Sequence, residues 1–544
     1  MALADDGSRI VLAAGDYDEA IKLTSAIEVR GRCASLVSLR GAQKTPYGSD
    51  AVVWFEGADG AVVRDVTLGP SPAAGVMLHS GHVTLEGVQI AAATKYGVIA
   101  GGSGSDITLL RTVIAGTLAQ SGSLGRAVDV EQGAAAHLVQ SALFENRDIS
   151  VAVLEDSSVS LEDSVVLGTF PEDETQSFGF GLFAQGGTLT VTDSAIVGNR
   201  SAGVRALKAA TLVLDRSLVT GTLPRASSGD FGHGVEVSDG ASAAITSSAI
   251  IGNVRVGVAI VGAGTQASLD GSYVADTLPR PGDNQLGVGV GVELGPVVTM
   301  TNMVLANNHD VGLFVQGSRV DVSSTLIEGT LPQVSDGLFG RGVDAEASQL
   351  TLTGSVVRSS HDVGVFALGA GTTVVADSLV LSTLPKQADG ENGAGAVCAD
   401  GAQLTMMRTL VSDSSVSAVR VVAATALIQA SILRRVPDGA FSLQNPPQRY
   451  DGVGDGVLGM LGATVDVEDT LIEGCLRAGI LFSSSGGTVS RTLSRTNAFG
   501  LVVQGSPAPI VDATSSFSGN TEGTAVTDAD LPVPDAASAV PTWP

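Results

Sequence analysis

The sequence predicts an all-β protein, a single-stranded right-handed parallel β-helix whose coils stack on one another as a solenoid. A short motif recurs along almost all of the 544 residues. The segments between its copies alternate apolar and small polar residues, with the period of two that is typical of β-strands. Units of this length cannot close a core alone, so stacking must bury it. Parallel strands are connected in the right-handed sense in nearly all proteins, which predicts the handedness.

The recurring motif is Ser or Thr, then apolar residues, then Gly-Asn or Gly-Thr, as in the segments 194–199, 217–222 and 248–253. Units of about 23 and about 30 residues alternate, so the full period is near 53 residues. We therefore expect about 18 alternating short and long coils, and a rod of roughly 85 Å at about 4.8 Å per coil. Aligned coils place the Ser/Thr positions in one column. A second column is formed by Asn146, Thr169, Asn199, Thr222, Asn253, Thr277, Asn308 and Thr330.

Composition excludes several classes of protein. The net charge of -26 opposes binding to nucleic acids, which requires basic patches. No apolar run has the length of a membrane span, and the first residues resemble no secretory signal. The three cysteines are far apart in the sequence and have no metal-ligand spacing. We expect no cofactor, no nucleic acid partner and no membrane span.

The long coils carry an insertion after a turn of the type Gly-Thr-Leu-Pro. An aspartate follows each turn at intervals of 53 residues, namely Asp230, Asp283, Asp336 and Asp389. A row of calcium sites is one interpretation, because carboxylates are preferred calcium ligands. The alternative is that each aspartate closes its own turn by accepting backbone hydrogen bonds.

One outward column of the predicted strands combines aromatic rings with carboxylates. Phe314 and Phe366 flank Asp344 in this column, and Glu293 lies beyond them. Such an exposed stripe suits a sugar-binding groove. The residues expected to bind the ligand are Phe314, Phe366, Arg341, His309, Asp310, His361 and Asp362.

A catalytic role for Glu293 and Asp344 is an alternative. Two coils separate them, about 9.6 Å at the backbone, near the carboxyl separation of inverting glycosidases. Two further interpretations stay open. The two His-Asp pairs, at 309–310 and 361–362, could ligate a metal, or the phenylalanines form a structural ladder and each His-Asp pair closes a turn.

The segment 8–41 resembles the start of the pectin-lyase-like right-handed parallel β-helix superfamily. Its pattern is carried by Ile10, Leu12, Gly15, Tyr17, Glu19, Ile21 and Leu23. The resemblance implies the fold, whereas members include lyases, hydrolases, adhesins and inert scaffolds. The catalytic motifs of polygalacturonase-like members are missing apart from Gly232-His233-Gly234.

The predicted organisation is a capping segment at 1–41, a β-helix at 42–520 and a proline-rich tail or linker at 521–544. We expect a non-catalytic secreted or cell-surface protein that binds glycans or partner proteins along one flank. The alternatives are a polysaccharide hydrolase or lyase, and a purely structural spacer. The resemblance and the acidic composition together favour an extracellular or cell-surface location.

Overall fold

The fold is known from a computed structural model that describes residues 5–46, 49–444 and 447–535. The chain comprises two compact units, Met1–Tyr273 and Val274–Pro544. In each unit every coil contributes one strand to each of three parallel sheets, here called sheets 1, 2 and 3. The predicted fold class is confirmed. The described residues give 20 strands per sheet, so two coils beyond the expected number are present. These two coils lie between Arg9 and Phe55 and lack the recurring motif.

The strands of the first unit are short and follow one another in the order sheet 1, sheet 2, sheet 3. Sheet 1 contains Arg9–Leu12, Glu28–Gly31, Ala61–Arg64, Gly81–Glu86, Ser105–Leu110, Ala135–Val139, Ser158–Glu162, Thr188–Thr192, Thr211–Asp215, Ser242–Thr246 and Gln266–Asp270. Sheet 2 contains Gly15–Tyr17, Val37–Leu39, Thr67–Leu68, Gln89–Ala91, Val113–Ala115, Ala142–Phe144, Val165–Leu167, Ala195–Val197, Leu218–Thr220 and Ala249–Ile251. Sheet 3 contains Ile21–Leu23, Ala51–Phe55, Ala74–Leu78, Tyr96–Gly101, Arg126–Glu131, Ile149–Leu154, Phe180–Gln185, Ala202–Leu207, His233–Ser238 and Val256–Val261.

The second unit has the same arrangement, and the strand Tyr273–Ala275 of sheet 2 contains the boundary between the units. Its sheet 1 contains Val297–Thr301, Arg319–Ser323, Gln349–Thr353, Thr373–Asp377, Gln403–Met407, Thr425–Gln429, Thr464–Glu468, Gly486–Ser490 and Ile510–Val511. Sheet 2 contains Val304–Ala306, Leu326–Glu328, Val356–His361, Val380–Leu384, Leu410–Ser412, Ile432–Val436, Leu471–Cys475, Leu493–Arg495 and Ser516–Ser518. Sheet 3 contains Val288–Glu293, Val311–Gln316, Arg341–Glu346, Val363–Leu368, Ala394–Ala399, Ser417–Val422, Asp455–Met460, Ala478–Ser483, Phe499–Gln504 and Gly523–Thr527.

The predicted polar columns hold adjacent coils in register. The backbone N–H of Ser141 donates to the hydroxyl of Ser164 at 3.0 Å, and that of Ser164 donates to Ser194 at 3.0 Å. In the second column, the N–H and the hydroxyl of Thr169 both donate to Oδ1 of Asn199, at 3.0 and 2.7 Å. Both columns are buried, so each contact satisfies a backbone group that water cannot reach.

The corners before two neighbouring sheet 3 strands have a left-handed backbone. Asp310 has a φ of 65°, and its carbonyl oxygen accepts hydrogen bonds from the N–H groups of Gly340 and Arg341, both at 2.9 Å. Gly340 itself has a φ of 87°, and a Cβ there would lie 2.8 Å from the Cβ of His361. The corner therefore requires glycine at this position.

One insertion departs from the β-helix. The strands Gly439–Gln444 and Pro447–Val453 pair as an antiparallel hairpin within the long insertion 431–470. The rings of Phe441 and Tyr450 stack with their centres 5.4 Å apart. Asn392 donates its N–H to the carbonyl oxygen of Ala440 at 3.0 Å, which attaches the hairpin to a neighbouring loop.

Candidate functional site

The predicted outward column lies on the outer face of sheet 3, and in the second unit its register is almost as expected. Consecutive coils place Phe314 beside Asp344, Asp344 beside Phe366, and Phe366 beside Val397. The next coil adds Arg420. The alternation of inward and outward residues was therefore correctly derived from the sequence for these positions.

Glu293 does not belong to this column. Gly291 pairs with Phe314, whereas Glu293 pairs with Gln316 in the neighbouring column, which also contains Glu346. The predicted placement was wrong because the preceding residues alternate Gly and Val. A shift of two residues leaves the inward and outward pattern of such a strand unchanged. Glu293 and Asp344 consequently do not face one groove as the expected pair of carboxylates.

The column is not the exposed stripe that the sequence predicted. Phe314, Asp344, Phe366 and Arg341 all have a relative exposure of 0%. Rings at such positions cannot stack on a sugar, and a carboxylate that water does not reach cannot take a proton from a bound substrate. The structure therefore supports the alternative in which the phenylalanines fill a ladder.

A buried ionic cluster occupies the centre of this face. The guanidinium of Arg341 donates from Nη1 to Oδ2 of Asp344 at 2.7 Å and from Nε to Oδ2 of Asp362 at 3.2 Å. The ring of Phe366 lies 4.0 Å from Cζ of Arg341, and that of Phe339 lies at 5.1 Å. Burial alone would lower the pKa of Arg341, but the carboxylates of Asp344 and Asp362 raise it. Pairing with the two carboxylates therefore stabilises the guanidinium charge, whereas burial raises the pKa of Asp344 against the opposing effect of Arg341.

Two residues that the sequence did not indicate as ligands extend the cluster. Nδ2 of Asn392 donates to Oδ1 of Asp362 at 2.5 Å, and Nη2 of Arg420 donates to Oδ1 of Asn392 at 2.6 Å. Burial lowers the pKa of Arg420 to about 10. Asn392 lies on a loop, so no periodic pattern could have identified it, whereas Arg420 was already in the outward column.

Asp310 lies beside this cluster, and one of its carboxylate oxygens is buried without a hydrogen bond among the described residues. This oxygen is Oδ1, and the side chain as a whole is buried. Burial raises the pKa of this carboxyl to about 7; Arg341 opposes the shift, and the charges of Asp344 and Asp336 add to it. Asp310 is thus a buried acid that titrates near neutral pH.

The histidines close turns. Nδ1 of His309 lies 3.0 Å from the carbonyl oxygen of Thr277, and Nδ1 of His361 lies 2.8 Å from that of Pro385. The described part of the chain contains no group of three His, Cys, Asp or Glu side chains that could hold a metal ion. Each histidine therefore has the structural contact that the alternative interpretation expects.

The aspartates of the long-coil loops bond to their own loops. Oδ1 of Asp283, Asp336 and Asp389 accepts the N–H two residues ahead, at 3.1, 2.9 and 2.9 Å respectively. A hydrogen bond from Arg280 lowers the pKa of Asp283, and Nζ of Lys386 donates to Asp389 at 2.8 Å. In the first unit, the carbonyl oxygen of Asp230 accepts the N–H of Arg225 at 2.8 Å. These contacts are those of turn closure, and calcium binding stays a prediction.

One regular exposed feature of the first unit is a stripe at the corner after sheet 2. Leu118, Phe170 and Leu223 each follow a residue of the Asn/Thr column on a long coil, and they are 47%, 43% and 42% exposed. Arg147 and Arg200 stand on the short coils between them, bridged to Phe170 and Leu223 respectively. These five residues are here called the corner stripe. The sequence showed the recurring turn but not the exposure of its leucine, because the turn was interpreted only as a loop.

The second unit carries a related stripe with histidines in place of the arginines. Leu278, Leu331 and Leu384 are exposed to a similar extent at the same turns. His309 pairs with Leu331, and His361 pairs with Leu384. The histidines therefore stand where the first unit has arginines.

Comparison with known proteins confirms the predicted resemblance. The family described as "right handed beta helix region" matches residues 74–274. Among curated proteins, none matches the sequence significantly. Similar solved structures include the Vag8–C1 inhibitor complex, at 12% identity and a TM-score of 0.37, covering 96% of this chain and 100% of that chain. They also include the periplasmic alginate epimerase AlgG, at 11% identity and a TM-score of 0.27, covering 74% and 77% of the two chains.

A PL6 alginate lyase in complex with a trisaccharide is a further similar structure, at 10% identity and a TM-score of 0.24, covering 80% of each chain. At these identities and TM-scores, the similarity supports no conclusion about this chain. The described residues include no helix with the length and apolarity that a membrane crossing needs. The chain is thus similar to right-handed parallel β-helix proteins, as residues 8–41 indicated.

Proposed function

We propose that the protein is a non-catalytic β-helix protein that binds a partner protein through the corner stripe of its first unit. The observation that carries the proposal is the regular exposure of Leu118, Phe170 and Leu223. Successive members lie two coils apart, about 9.6 Å, so the apolar side chains form a row rather than scattered single residues.

The chemistry of the stripe favours a protein over a glycan. Sugar faces stack on aromatic rings, and only Phe170 offers one. Leucine side chains instead contact the apolar side chains of a protein partner. Arg147 lies with its guanidinium 5.7 Å from the ring of Phe170 and forms an ion pair with Asp173 at 2.5 Å. Arg200 donates to the carbonyl oxygen of Pro224 at 3.1 Å. Both arginines are thus held in place, and arginine is enriched at protein interfaces.

Burial of the sheet 3 face supports the absence of catalysis. The catalytic prediction for Asp344 needs an accessible carboxylate, and this side chain is enclosed with Arg341. An assay for unsaturated uronides and reducing sugars, with the variants Asp344→Asn and Glu293→Gln, tests the enzyme alternative. Activity that both variants lose would overturn the non-catalytic proposal.

The location is proposed on the acidic composition and on the predicted resemblance. A net charge of -26 keeps a protein soluble and dispersed. We propose, in line with the predicted resemblance, that the protein lies at the cell surface or in the medium. Fractionation of the source cells with an antibody against the chain tests this location.

The binding test compares two triple variants in affinity capture from the surface fraction of the source cells. The stripe variant combines Leu118→Ser, Phe170→Ser and Leu223→Ser. The matched control changes exposed apolar residues elsewhere in the same unit, Leu36→Ser, Val165→Ser and Leu167→Ser. We expect the same partner protein to be retained by the wild type and the control and lost by the stripe variant. Equal retention by all three, or retention of an oligosaccharide on a glycan array instead, would contradict the proposal.

A further inference from the structure

The C-terminal segment of the second unit lies on the outer face of sheet 3. Ala529, Leu531 and Val533 pack against a buried apolar cluster of that face. The cluster includes three members of the central outward column, Leu458, Leu481 and Val502. Every second residue of the segment thus contacts the face, the pattern of a chain in extended conformation.

Gln504 binds the backbone of this segment. Its Nε2 donates to the carbonyl oxygen of Leu531 at 2.8 Å, and its Oε1 accepts the N–H of Leu531 at 2.9 Å. The side-chain amide makes the same pair of bonds that a neighbouring strand would make. Because both partners are main-chain atoms, this recognition does not depend on the side chain at that position.

Arg477 provides a second backbone contact. Its Nη1 donates to the carbonyl oxygen of Pro532 at 2.6 Å. The buried carboxylate of Asp455 holds the guanidinium in place, accepting from Nε at 2.9 Å and from Nη2 at 2.5 Å. The donor is therefore already oriented before any peptide arrives, which lowers the entropic cost of binding.

The segment has a sequence suited to this arrangement. Residues 531–534 read Leu-Pro-Val-Pro, so apolar residues that touch the face alternate with prolines. Proline fixes an extended φ and has no N–H to satisfy. Such a peptide loses little conformational freedom on binding and leaves few unpaired donors.

We propose that the outer face of sheet 3 around Arg477 and Gln504 is a binding site for extended peptides with apolar residues alternating with proline. Residues 529–535 of the same chain are its resident ligand. This site is separate from the corner stripe and does not depend on the proposed partner binding. Tethering gives the resident segment an effective concentration in the millimolar range, so a free peptide competes poorly in the wild type.

The test uses the full chain and a fluorescent peptide with the sequence of residues 527–535. The double variant Leu531→Asp, Val533→Asp weakens the resident segment without changing any residue of the three sheets. We expect fluorescence anisotropy to show binding to this variant at least about tenfold tighter than to the wild type. A scrambled peptide of the same composition should not bind.

Two further variants locate the binding. Adding Gln504→Ala to the double variant should abolish binding, whereas Gln429→Ala, which changes a half-buried glutamine of sheet 1, should leave it unchanged. Far-ultraviolet circular dichroism confirms that each variant is folded. A peptide with a photoreactive group at the Leu position should crosslink within residues 458–504. Absence of binding to the folded double variant, equal binding after Gln504→Ala, or crosslinks elsewhere would overturn the proposal.

Discussion

The same ionic cluster occurs in both units, with different access to water. In the first unit, Arg126 pairs with Asp129 at 2.7 Å and with Asp148 at 2.9 Å, and its side chain is 18% exposed. In the second unit, Arg341 pairs with Asp344 and Asp362 at 2.7 and 3.2 Å, and its exposure is 0%. In both units the first aspartate follows the arginine by three residues and the second lies on the next coil.

The next coil explains the difference. Asp129 is paired in the sheet with Ala152, whereas Asp344 is paired with Phe366, whose ring lies over the guanidinium of Arg341. A methyl group leaves part of the guanidinium in contact with water, and an aromatic ring does not. The residue stacked on a charge pair therefore contributes to its burial together with loop residues such as Phe339, while the pair itself is specified by its own strand and corner.

Replacing the arginine of the ionic cluster should cause the largest loss in the free energy of unfolding. Arg341→Met leaves the buried carboxylates of Asp344 and Asp362 without the guanidinium they share, which costs about 3–5 kcal/mol. Arg126→Met should cost less, about 1–3 kcal/mol, because water reaches that cluster. Urea unfolding, with hydrogen exchange to localise the loss, measures both variants. Equal losses in the two units would contradict the role given to the ring.

Removing only the ring over the guanidinium should have a smaller effect. Phe366→Leu keeps an apolar cover and loses the cation–π contact with Arg341, for which we expect about 1–2 kcal/mol. The matched residue Phe183 lies in the same column of the first unit, between Ala152 and Arg205. Because Phe183 is two coils from Asp129 of the ionic cluster, Phe183→Leu should cost less. A larger loss from Phe183→Leu in thermal unfolding would argue against the contact.

The stability of the second unit should depend on pH through Asp310. The pKa of Asp310 is raised from 3.8 to about 7, so the folded state binds a proton more tightly than the unfolded state. Its contribution to stability is therefore fully present below about pH 4 and is lost as the pH rises through about 7. Relative to the wild type, the stability of Asp310→Asn should therefore increase as the pH rises from about 4 to about 7 and level off above it, measured by calorimetry at several pH values.

Asp283 provides a control, because its pKa is shifted in the opposite direction from that of Asp310. Arg280 lowers the pKa of this carboxyl in the folded state. The contribution of Asp283 to stability is therefore present above its pKa in the unfolded chain, and it is lost as the pH falls through the lower pKa of the folded state. Asp283→Asn should therefore lose stability relative to the wild type at neutral pH and recover it in acid. The same pH trend for both variants would refute the assignment for Asp310.

Removing one hydrogen bond of the polar columns should cause the smallest loss in the free energy of unfolding. Ser217→Ala removes the acceptor for the N–H of Ser194, now bonded at 3.1 Å, and should cost about 1 kcal/mol. Val165→Ala on the exposed side of sheet 2 is a suitable control, because it changes no hydrogen bond of the column. Loss of stability no greater than that of the control would show that the column does not bear on stability.

The fold and the columns could be predicted because stacking forces residues one period apart into contact. The hydrogen bonds of Ser164 and Asn199 follow from this spacing alone. The register of Glu293 could not be predicted, because its strand alternates Gly and Val and fits two alignments equally well. The burial of Asp344 and Phe366 could not be predicted either, because loop residues such as Phe339 and Asn392 reach this face from outside the periodic pattern.

The outer face of sheet 3 in the second unit is closed around a paired ionic cluster. Carboxyl labelling of the native protein with a carbodiimide and an amine, followed by mass spectrometry, tests whether water reaches these carboxylates. We expect Asp344 and Asp362 to stay unlabelled while Asp283 and Asp336 on the loops react. Labelling of Asp344 as fast as Asp283 would contradict the claim and restore the open groove that the sequence predicted.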